Sequence, residues 1–344
     1  MRKLLKKIRN FVLDGIRNKF FFYGSNVCSF SVGWLLYANV IKPSRTYRRL
    51  KNNKSNRFEI LNLVQKTKPS TIGTNVKFDR TNPKESFEFA MKVLRTHGAV
   101  VIEEYFDAAI IDGFLEKYKS EISDIKSGES RFGYPLVLSS ELLRIWLDQD
   151  VQKFIGQYFG TQQYCRDYPL LQYVDRSSAK ECGPGKDSIA YPWHIDHCPI
   201  LPQMVYLADV DPNGTCMEIV SASHHFPSVA LGTFSDEYIN SLNADIKRLS
   251  GPKGSIQLHD PNVVHRAAPK NNSDRLWLYS DFSWGENILM DINTIVKMLS
   301  RSEVQLTELT QEQRNALSGI FPRSAPKGYQ MSNGYLKPQI SQDI

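Results

Sequence analysis

The sequence predicts a mainly β protein, a barrel or sandwich of short strands with flanking helices. Between residues 170 and 282, short apolar or alternating runs recur with turn signals between them, such as Asp-Pro-Asn-Gly at 211–214. On both sides of this region, apolar residues recur instead at helical spacing. The chain has 344 residues, 41% of them hydrophobic and 23% charged, so it can bury a proper core.

The predicted elements follow in order along the chain. Helical spacing occupies 84–96, 108–125 and 140–159, and Gly98 ends the first helix before a short apolar strand at 99–102. Strands are predicted at 170–174, 191–197, 203–210, 215–220, 255–258, 263–266 and 276–282. We expect a polar loop at 176–188, an insertion with some helix at 229–249, a helix over 287–320 and irregular chain after residue 321.

Positive charge is concentrated in the first 60 residues. They hold fourteen Lys/Arg and two acidic residues, a net charge of +12, so the remainder must carry −5 for the chain total of +7. A mildly acidic remainder argues against a broad nucleic-acid surface, and we expect no nucleic-acid partner. The domain organisation we predict is a basic N-terminal extension at 1–60, a β domain at 83–290, and a helical segment with an irregular tail at 291–344.

Residues 1–41 leave three interpretations open. Residues 1–19 have the pattern of a basic amphipathic helix, which suits an anionic membrane surface. Residues 20–41 carry no charge and are long enough to span a membrane, although small and polar residues interrupt them. A membrane span, peripheral membrane contact and a helix packed on its own domain all fit this pattern. We expect a cytoplasmic protein for which membrane association through the N-terminus stays open.

Five cysteines are present, and no two of them form a Cys-x-x-Cys pair. An odd count without such pairs favours free thiols in a reducing compartment over a disulfide framework or a structural zinc site.

The clearest chemical signal is the stretch YPWHIDH at residues 191–197. In a strand, side chains alternate between faces, so His194 and Asp196 point the same way and His197 points away. One imidazole and one carboxylate on one face supply two of the three ligands of a 2-His-1-carboxylate site, which leaves positions open on Fe(II). The best candidate for the third ligand is His265, which is followed ten residues later by Arg275.

This ordered set of residues resembles the phytanoyl-CoA dioxygenase family. The resemblance rests on His-x-Asp at 194–196, Asn-Gly at 213–214 leading to Ser-Ala-Ser-His at 221–224, the strand at 251–258, and His265 with Arg275 ten residues later. It covers residues 83–284 and neither end of the chain. Members of this family are Fe(II)- and 2-oxoglutarate-dependent oxygenases built on a double-stranded β-helix, a jelly-roll or cupin-like fold.

The resemblance implies a function and a role for each candidate residue. Fe(II) would be bound by His194, Asp196 and His265, and the far carboxylate of 2-oxoglutarate by Arg275 with help from Gln172. With O2 as the other reactant, the implied reaction is hydroxylation of a small-molecule or lipid-like substrate with release of succinate and CO2. Related halogenases replace the carboxylate ligand by a small residue, so the presence of Asp196 favours hydroxylation.

One position departs from the family pattern and keeps other classes open. The family often has Ser two residues after the distal histidine, and this chain has Ala267, which removes a hydroxyl contact to the co-substrate. The departure supports a non-catalytic double-stranded β-helix that binds a ligand or partner. A cupin-like metal enzyme that does not use 2-oxoglutarate is a further alternative, which Arg275 disfavours.

Other histidines are weaker candidates for the metal site. His259 is a rival distal ligand, but the residue ten positions after it is Pro269, not arginine. His224 and His225 are expected to cap a turn.

Overall fold

The structure is a computed structural model. It describes residues 70–127, 132–133, 136–161, 163–166, 168–174, 193–196, 200–225, 234–268, 273–283, 302–304, 308–317, 329–332 and 335–338. The basic extension at 1–60, with the segment considered for membrane contact, and the loop at 176–188 lie outside these residues, so those expectations stay predictions. In the described part of the chain, no helix is long and apolar enough to cross a bilayer.

Seven α-helices occur in the described residues: α1 (Pro83–His97), α2 (Ala108–Lys117), α3 (Lys119–Ser127), α4 (Ser140–Trp146), α5 (Gln149–Phe159), α6 (Asp236–Ser241) and α7 (Gln311–Leu317). The two predicted helices at 108–125 and 140–159 are each divided into two. The second division has a local cause, because the Asp148 carboxylate accepts hydrogen bonds from the amides of Asp150 and Val151 and so caps α5.

The thirteen described strands are β1 (Asn75–Lys77), β2 (Ala99–Glu103), β3 (Phe132–Gly133), β4 (Tyr164–Cys165), β5 (Leu170–Val174), β6 (Ile200–Tyr206), β7 (Met217–Val220), β8 (Ile246–Leu249), β9 (Ile256–His259), β10 (His265–Ala267), β11 (Arg275–Ser283), β12 (Tyr329–Ser332) and β13 (Tyr335–Pro338). Six of the seven strands predicted between 170 and 282 are present, β5 with the predicted boundaries and the other five with shifted ones. At 191–197 the described residues form isolated bridges rather than a regular strand.

Two sheets face each other. The larger has the order β1-β2-β9-β6-β11-β5-β3, with β4 also pairing with β11, and the smaller has the order β10-β7-β8. Bridges from His194 to His265 and from Trp193 to Phe234 extend the smaller sheet. Apart from the parallel β1–β2 pair, the pairings within these two sheets are antiparallel. This is the double-stranded β-helix with flanking helices, and the predicted fold class is confirmed.

The period-two alternation of β11 explains how the layers are held together. Trp277 points inward and packs with residues of both sheets, among them Tyr206 and Ile219. Leu276 and Leu278 point outward into a second core, which α1, α2, α4 and α5 cover. Each fully buried leucine stabilises the fold by about 1.5–3 kcal/mol. The inward face of β11 therefore carries the residues that line the interior between the sheets.

The C-terminal part differs from expectation. Residues 302–304 and 309–310 are not helical, so the prediction of a helix throughout 287–320 was wrong there, although α7 lies within that range. The apolar residues at helical spacing on which that prediction rests, Ile292, Ile295, Val296 and Leu299, lie outside the described residues. The expectation of irregular chain after 321 was also wrong for β12 and β13, which pair as an antiparallel hairpin. The sequence between them is Asn-Gly, a dipeptide that favours two-residue hairpin turns.

Candidate metal centre

Two imidazoles and one carboxylate converge at one end of the smaller sheet. One ligand atom from each of His194, Asp196 and His265 lies within 4.8 Å of the other two. Nε2 of His194 is 3.6 Å from Oδ1 of Asp196, and Nε2 of His265 is 3.6 Å from Oδ2. Metal bonds of about 2.0–2.2 Å to such donors place neighbouring ligand atoms roughly 3 Å apart, so small side-chain rotations would close the group around one ion.

Backbone pairing brings these ligand candidates together. His194 and His265 exchange two N–H···O=C hydrogen bonds of 2.9 Å, and the Asp196 amide donates to the Pro261 carbonyl at 3.0 Å. Trp193 and Ile195 are buried on the other side of the segment, in a cluster that includes Phe234. The alternation expected of a strand therefore holds over 193–196, although only a short bridge forms.

The environment of His265 prepares it to be a ligand. Its Nδ1 lies 2.9 Å from the Val263 carbonyl. A carbonyl can only accept, so Nδ1 carries the proton and Nε2 presents its lone pair to the site. Burial lowers the pKa of His265 and outweighs the opposing attraction of Asp196, which favours the neutral, metal-binding form.

Asp196 is held in its ionised form. Burial by itself would raise the pKa of this carboxyl. The surrounding imidazoles, of which those of His265 and His259 act most strongly, instead hold that pKa well below its usual range. A neutral imidazole beside an ionised carboxylate is the protonation state in which a divalent metal binds without displacing a proton.

A charged network on the outer side of the smaller sheet holds the 193–196 segment in place. The Arg266 guanidinium lies 4.3 Å from the centre of the Trp193 ring, and its Nε donates to Glu218 at 2.8 Å. Asp236 accepts a hydrogen bond from the Trp193 indole at 3.0 Å and also contacts Arg266. Trp193 is thus a packing residue. Sequence reasoning missed Arg266, because its partners come from other strands and from α6.

Arg275 is 3% exposed and lies on the inner face of β11. Its guanidinium is 3.5 Å from the centre of the Trp277 ring and donates to the Thr215 carbonyl. Its cross-strand neighbour Val174 contacts Ala267 in the opposite sheet. Ala267 is two residues along β10 from His265, a rise of about 7 Å. Arg275 therefore enters the same interior as the metal-ligand candidates.

Gln172 is connected to Arg275 through the side chain of Trp277. It is the cross-strand neighbour of Trp277, and its Oε1 accepts the indole N–H of that residue. The Trp277 ring in turn lies against the Arg275 guanidinium. Gln172, expected to assist at the co-substrate, is thus placed to hold the ring that supports the arginine.

The remaining histidines occupy different positions. His259 is buried, and its Nε2 lies 3.8 Å from Oδ2 of Asp196, although it is outside the three-residue group. His224 lies in a 3-10 turn at Ser223–His225, as expected, but its Nε2 contacts the Arg95 carbonyl in the last turn of α1 at 3.0 Å and not a group of its own turn. His197 and the side chain of His225 lie outside the described residues.

Two cysteines are described, and both are free and buried. Burial raises the pKa of both thiols, and that of Cys216 to about 11, so these side chains stay protonated at neutral pH.

Comparison with known proteins gives similarity at the level of solved structures. No family model and no curated protein matches the chain. EctD from S. alaskensis in its apoform is 18% identical, with a TM-score of 0.49 over 65% of this chain and 85% of that chain. The epimerase SnoN, solved in complex with Fe3+, alpha ketoglutarate and nogalamycin RO, is 16% identical, with a TM-score of 0.44 over 59% of this chain and 85% of its own. HygX from Streptomyces hygroscopicus, solved with nickel and 2-oxoglutarate bound, is 16% identical, with a TM-score of 0.42 over 56% of this chain and 85% of its own.

Proposed function

We propose that the protein is an Fe(II)- and 2-oxoglutarate-dependent dioxygenase that hydroxylates a small-molecule or lipid-like substrate. The observation that carries this proposal is the convergence of His194, Asp196 and His265 from separate parts of the chain. Two imidazoles and one carboxylate form the donor set of non-haem Fe(II) oxygenases, and three protein ligands leave room for further ligands on the ion. The buried Arg275 supports the choice of co-substrate.

The donor set fits the proposed metal in charge as well as in type. Asp196 is held ionised and His265 is held neutral, the forms in which these side chains bind a metal, and His265 is oriented by the Val263 carbonyl. With Fe(II) bound, 2-oxoglutarate and O2 would supply the oxidant for a substrate C–H bond, with release of succinate and CO2. The part of the protein would be to hold the three ligands and to position the co-substrate and the substrate.

The role proposed for Arg275 is to bind the far carboxylate of 2-oxoglutarate. A guanidinium offers several donors in one plane and matches a carboxylate in two-pronged geometry. Stacking on Trp277 and the bond to the Thr215 carbonyl fix its plane before the co-substrate arrives. The charge is nearly inaccessible to solvent, so its attraction for an anion is weakly screened.

The test is co-substrate turnover by the Fe(II)-loaded protein. We expect O2 uptake and succinate formation to depend on 2-oxoglutarate and Fe(II), even at the slow rate of turnover without a substrate. The His265→Ala variant should abolish both signals, and Gln152→Leu, a change in the helical layer, should retain them. Wild-type protein that binds metal but forms no succinate, alone or with a broad panel of small-molecule and lipid-like substrates, would contradict the proposal.

One observation favours a second candidate, a metal-binding protein that does not use 2-oxoglutarate. Ala267 and Val174 contact each other beside Arg275, so the wall that would carry a serine hydroxyl in the resembled family is apolar. In this case Fe(II) or Mn(II) would bind to the same three residues, and 2-oxoglutarate would not change the affinity for metal. A substrate screen of the metal-loaded protein would then distinguish a metal enzyme from a non-catalytic metal-binding protein.

A further inference from the structure

The buried imidazole of His259 lacks an ordinary hydrogen-bond partner. It ends β9 in the larger sheet and is 1% exposed. Neither ring nitrogen has a hydrogen-bond partner among the described residues. A buried polar group left unpaired costs about 1–3 kcal/mol, so a fully buried imidazole with two such nitrogens requires a physical explanation.

The ring is directed at the carboxylate of the candidate metal centre. Nε2 of His259 lies 3.8 Å from Oδ2 of Asp196, and its ring centre lies 4.9 Å from that of His265. Oδ1 of the same carboxylate faces His194 at 3.6 Å. Oδ2 also lies 3.6 Å from Nε2 of His265. The two oxygens of Asp196 are therefore in different surroundings, and Oδ2 is the one that lies near His259 in the larger sheet.

We propose that His259 is a positioning residue that donates a hydrogen bond from Nε2–H to Oδ2 of Asp196, so that Asp196 binds the metal through its other oxygen. This inference rests on the proposed function. Closing the present separation to a hydrogen bond of about 2.7–3.2 Å requires a movement of under about 1.1 Å, which rotation of the carboxylate can supply. A hydrogen bond of this kind fixes the orientation of the carboxylate, so that its other oxygen stays directed at the ion.

Two observations argue that His259 supports the ligands and is not one of them. It approaches from the larger sheet, and the group of three mutually close ligand atoms does not include it. A metal-binding histidine almost always donates its second ring nitrogen to a carbonyl or carboxylate. His265 has such a contact with Val263, whereas Nδ1 of His259 has none in the described chain.

A pair of amide substitutions tests the inference. In His259→Gln the amide nitrogen lies at about the reach of Nε2, and in His259→Asn it lies at the reach of Nδ1, too short to contact Asp196. We expect His259→Asn to weaken Mn(II) binding, measured by equilibrium dialysis and electron paramagnetic resonance, by about 10–100-fold. His259→Gln should bind Mn(II) within about threefold of wild type and keep the wild-type Co(II) absorption spectrum, because its amide keeps the hydrogen bond. The loss of a hydrogen bond to the charged carboxylate would weaken Mn(II) binding by more than about threefold.

The matched control is His97→Gln. His97 is also fully buried, and it contacts Ser221 at 2.7 Å, not the carboxylate. Its substitution should lower the melting temperature and leave the Mn(II) affinity unchanged. A second measurement needs no variant: Zn(II)-loaded wild-type protein with 15N-labelled histidine should show a slowly exchanging Nε2–H on His259, whereas His265 is the Nδ1–H tautomer.

Several results would overturn the inference. Unchanged Mn(II) affinity in His259→Asn would show that the residue only packs. An equal loss in both variants, with a changed Co(II) spectrum, would make His259 a ligand. Absence of the protected Nε2–H in the Zn(II)-loaded protein would also contradict it. A failure of the proposed function is distinguishable, because it would appear as absent metal binding or absent succinate in wild type, whereas these outcomes arise with wild-type metal binding intact.

Discussion

His194 and His265 are hydrogen-bonded to each other through their backbones, each amide donating to the other's carbonyl at 2.9 Å. Their rings lie on the same side of this pair, with centres 4.3 Å apart. Residues that exchange both backbone hydrogen bonds face each other across an antiparallel pair. The backbone pairing therefore sets the separation of the two imidazoles, within the range that side-chain rotation allows.

The first prediction concerns stability with metal bound. Mn(II) at about 100 times its dissociation constant should stabilise wild-type protein by about 2.7 kcal/mol, since it binds the folded state. His194→Ala and His265→Ala should lose this increment, because each removes a ligand. The measurement is urea unfolding with and without Mn(II), and His97→Gln should keep the increment. An increment that persists in both alanine variants would place the ion elsewhere.

The second prediction concerns the support of Arg275. Gln172→Leu leaves the Trp277 indole N–H without its acceptor, so the ring beneath the guanidinium is less well fixed. We expect the dissociation constant for 2-oxoglutarate to rise several-fold, and by about 10–100-fold in Arg275→Lys, which loses the planar two-pronged contact. Isothermal titration of Mn(II)-loaded protein measures both values.

Mn(II) affinity should stay unchanged in these two variants. Gln152→Leu is the matched control, since it removes a buried glutamine from the helical layer. Equal 2-oxoglutarate affinity in Arg275→Lys and wild type would remove the arginine from the co-substrate site.

The third prediction concerns Ala267. This side chain contacts Val174, the cross-strand neighbour of Arg275, and lies two residues from His265. A serine hydroxyl at this position would face the co-substrate carboxylate, and a hydrogen bond to a charged group is worth about 1.5–3 kcal/mol. We expect Ala267→Ser to tighten 2-oxoglutarate binding by about tenfold or more, measured by the same titration. Weaker binding in this variant would mean that the apolar wall itself contacts the ligand.

Much of this site followed from the sequence because it depends on short-range alternation. The spacing of His194 and Asp196 placed both on one side, and the alternating pattern of β11 placed Arg275 and Trp277 on one face. The roles of His259 and Arg266 could not be predicted in the same way. Each depends on which strands are neighbours and in what register, and no local pattern encodes that pairing.

The fold shows the same division between local and long-range information. Strand and helix positions were predicted from periodicity, and the class followed from their number and order. Two of the wrong predictions concern places where a short local pattern indicated the structure that is observed. Asp148 is a good N-cap residue inside an apparently continuous helix, and Asn-Gly at 333–334 is a hairpin signal within a tail rich in turn-forming residues. The pairing of 193–194 with other strands depended on tertiary contacts.

The fourth prediction concerns pH. Burial lowers the pKa of His97 below its ordinary value of 6.5, and Lys247 lowers it further. The unfolded chain therefore binds more protons than the folded chain at and below that pH, so the free energy of unfolding should fall as the pH drops through 6.5. Urea unfolding of metal-free protein between pH 8 and pH 5 measures the slope.

His97→Gln should flatten this dependence, because it removes one of the groups whose pKa differs between the two states. An unchanged slope in the variant would mean that other groups, such as His265, account for the whole effect.

The most direct test of the central claim is the visible spectrum of anaerobic, Fe(II)-loaded protein during addition of 2-oxoglutarate. A keto acid that chelates Fe(II) in this site should produce a weak metal-to-ligand charge-transfer band. The band should vanish in His194→Ala and weaken in Arg275→Ala. Fe(II) binding without the band would contradict the co-substrate assignment, and failure of wild-type protein to bind Fe(II) would contradict the metal centre itself.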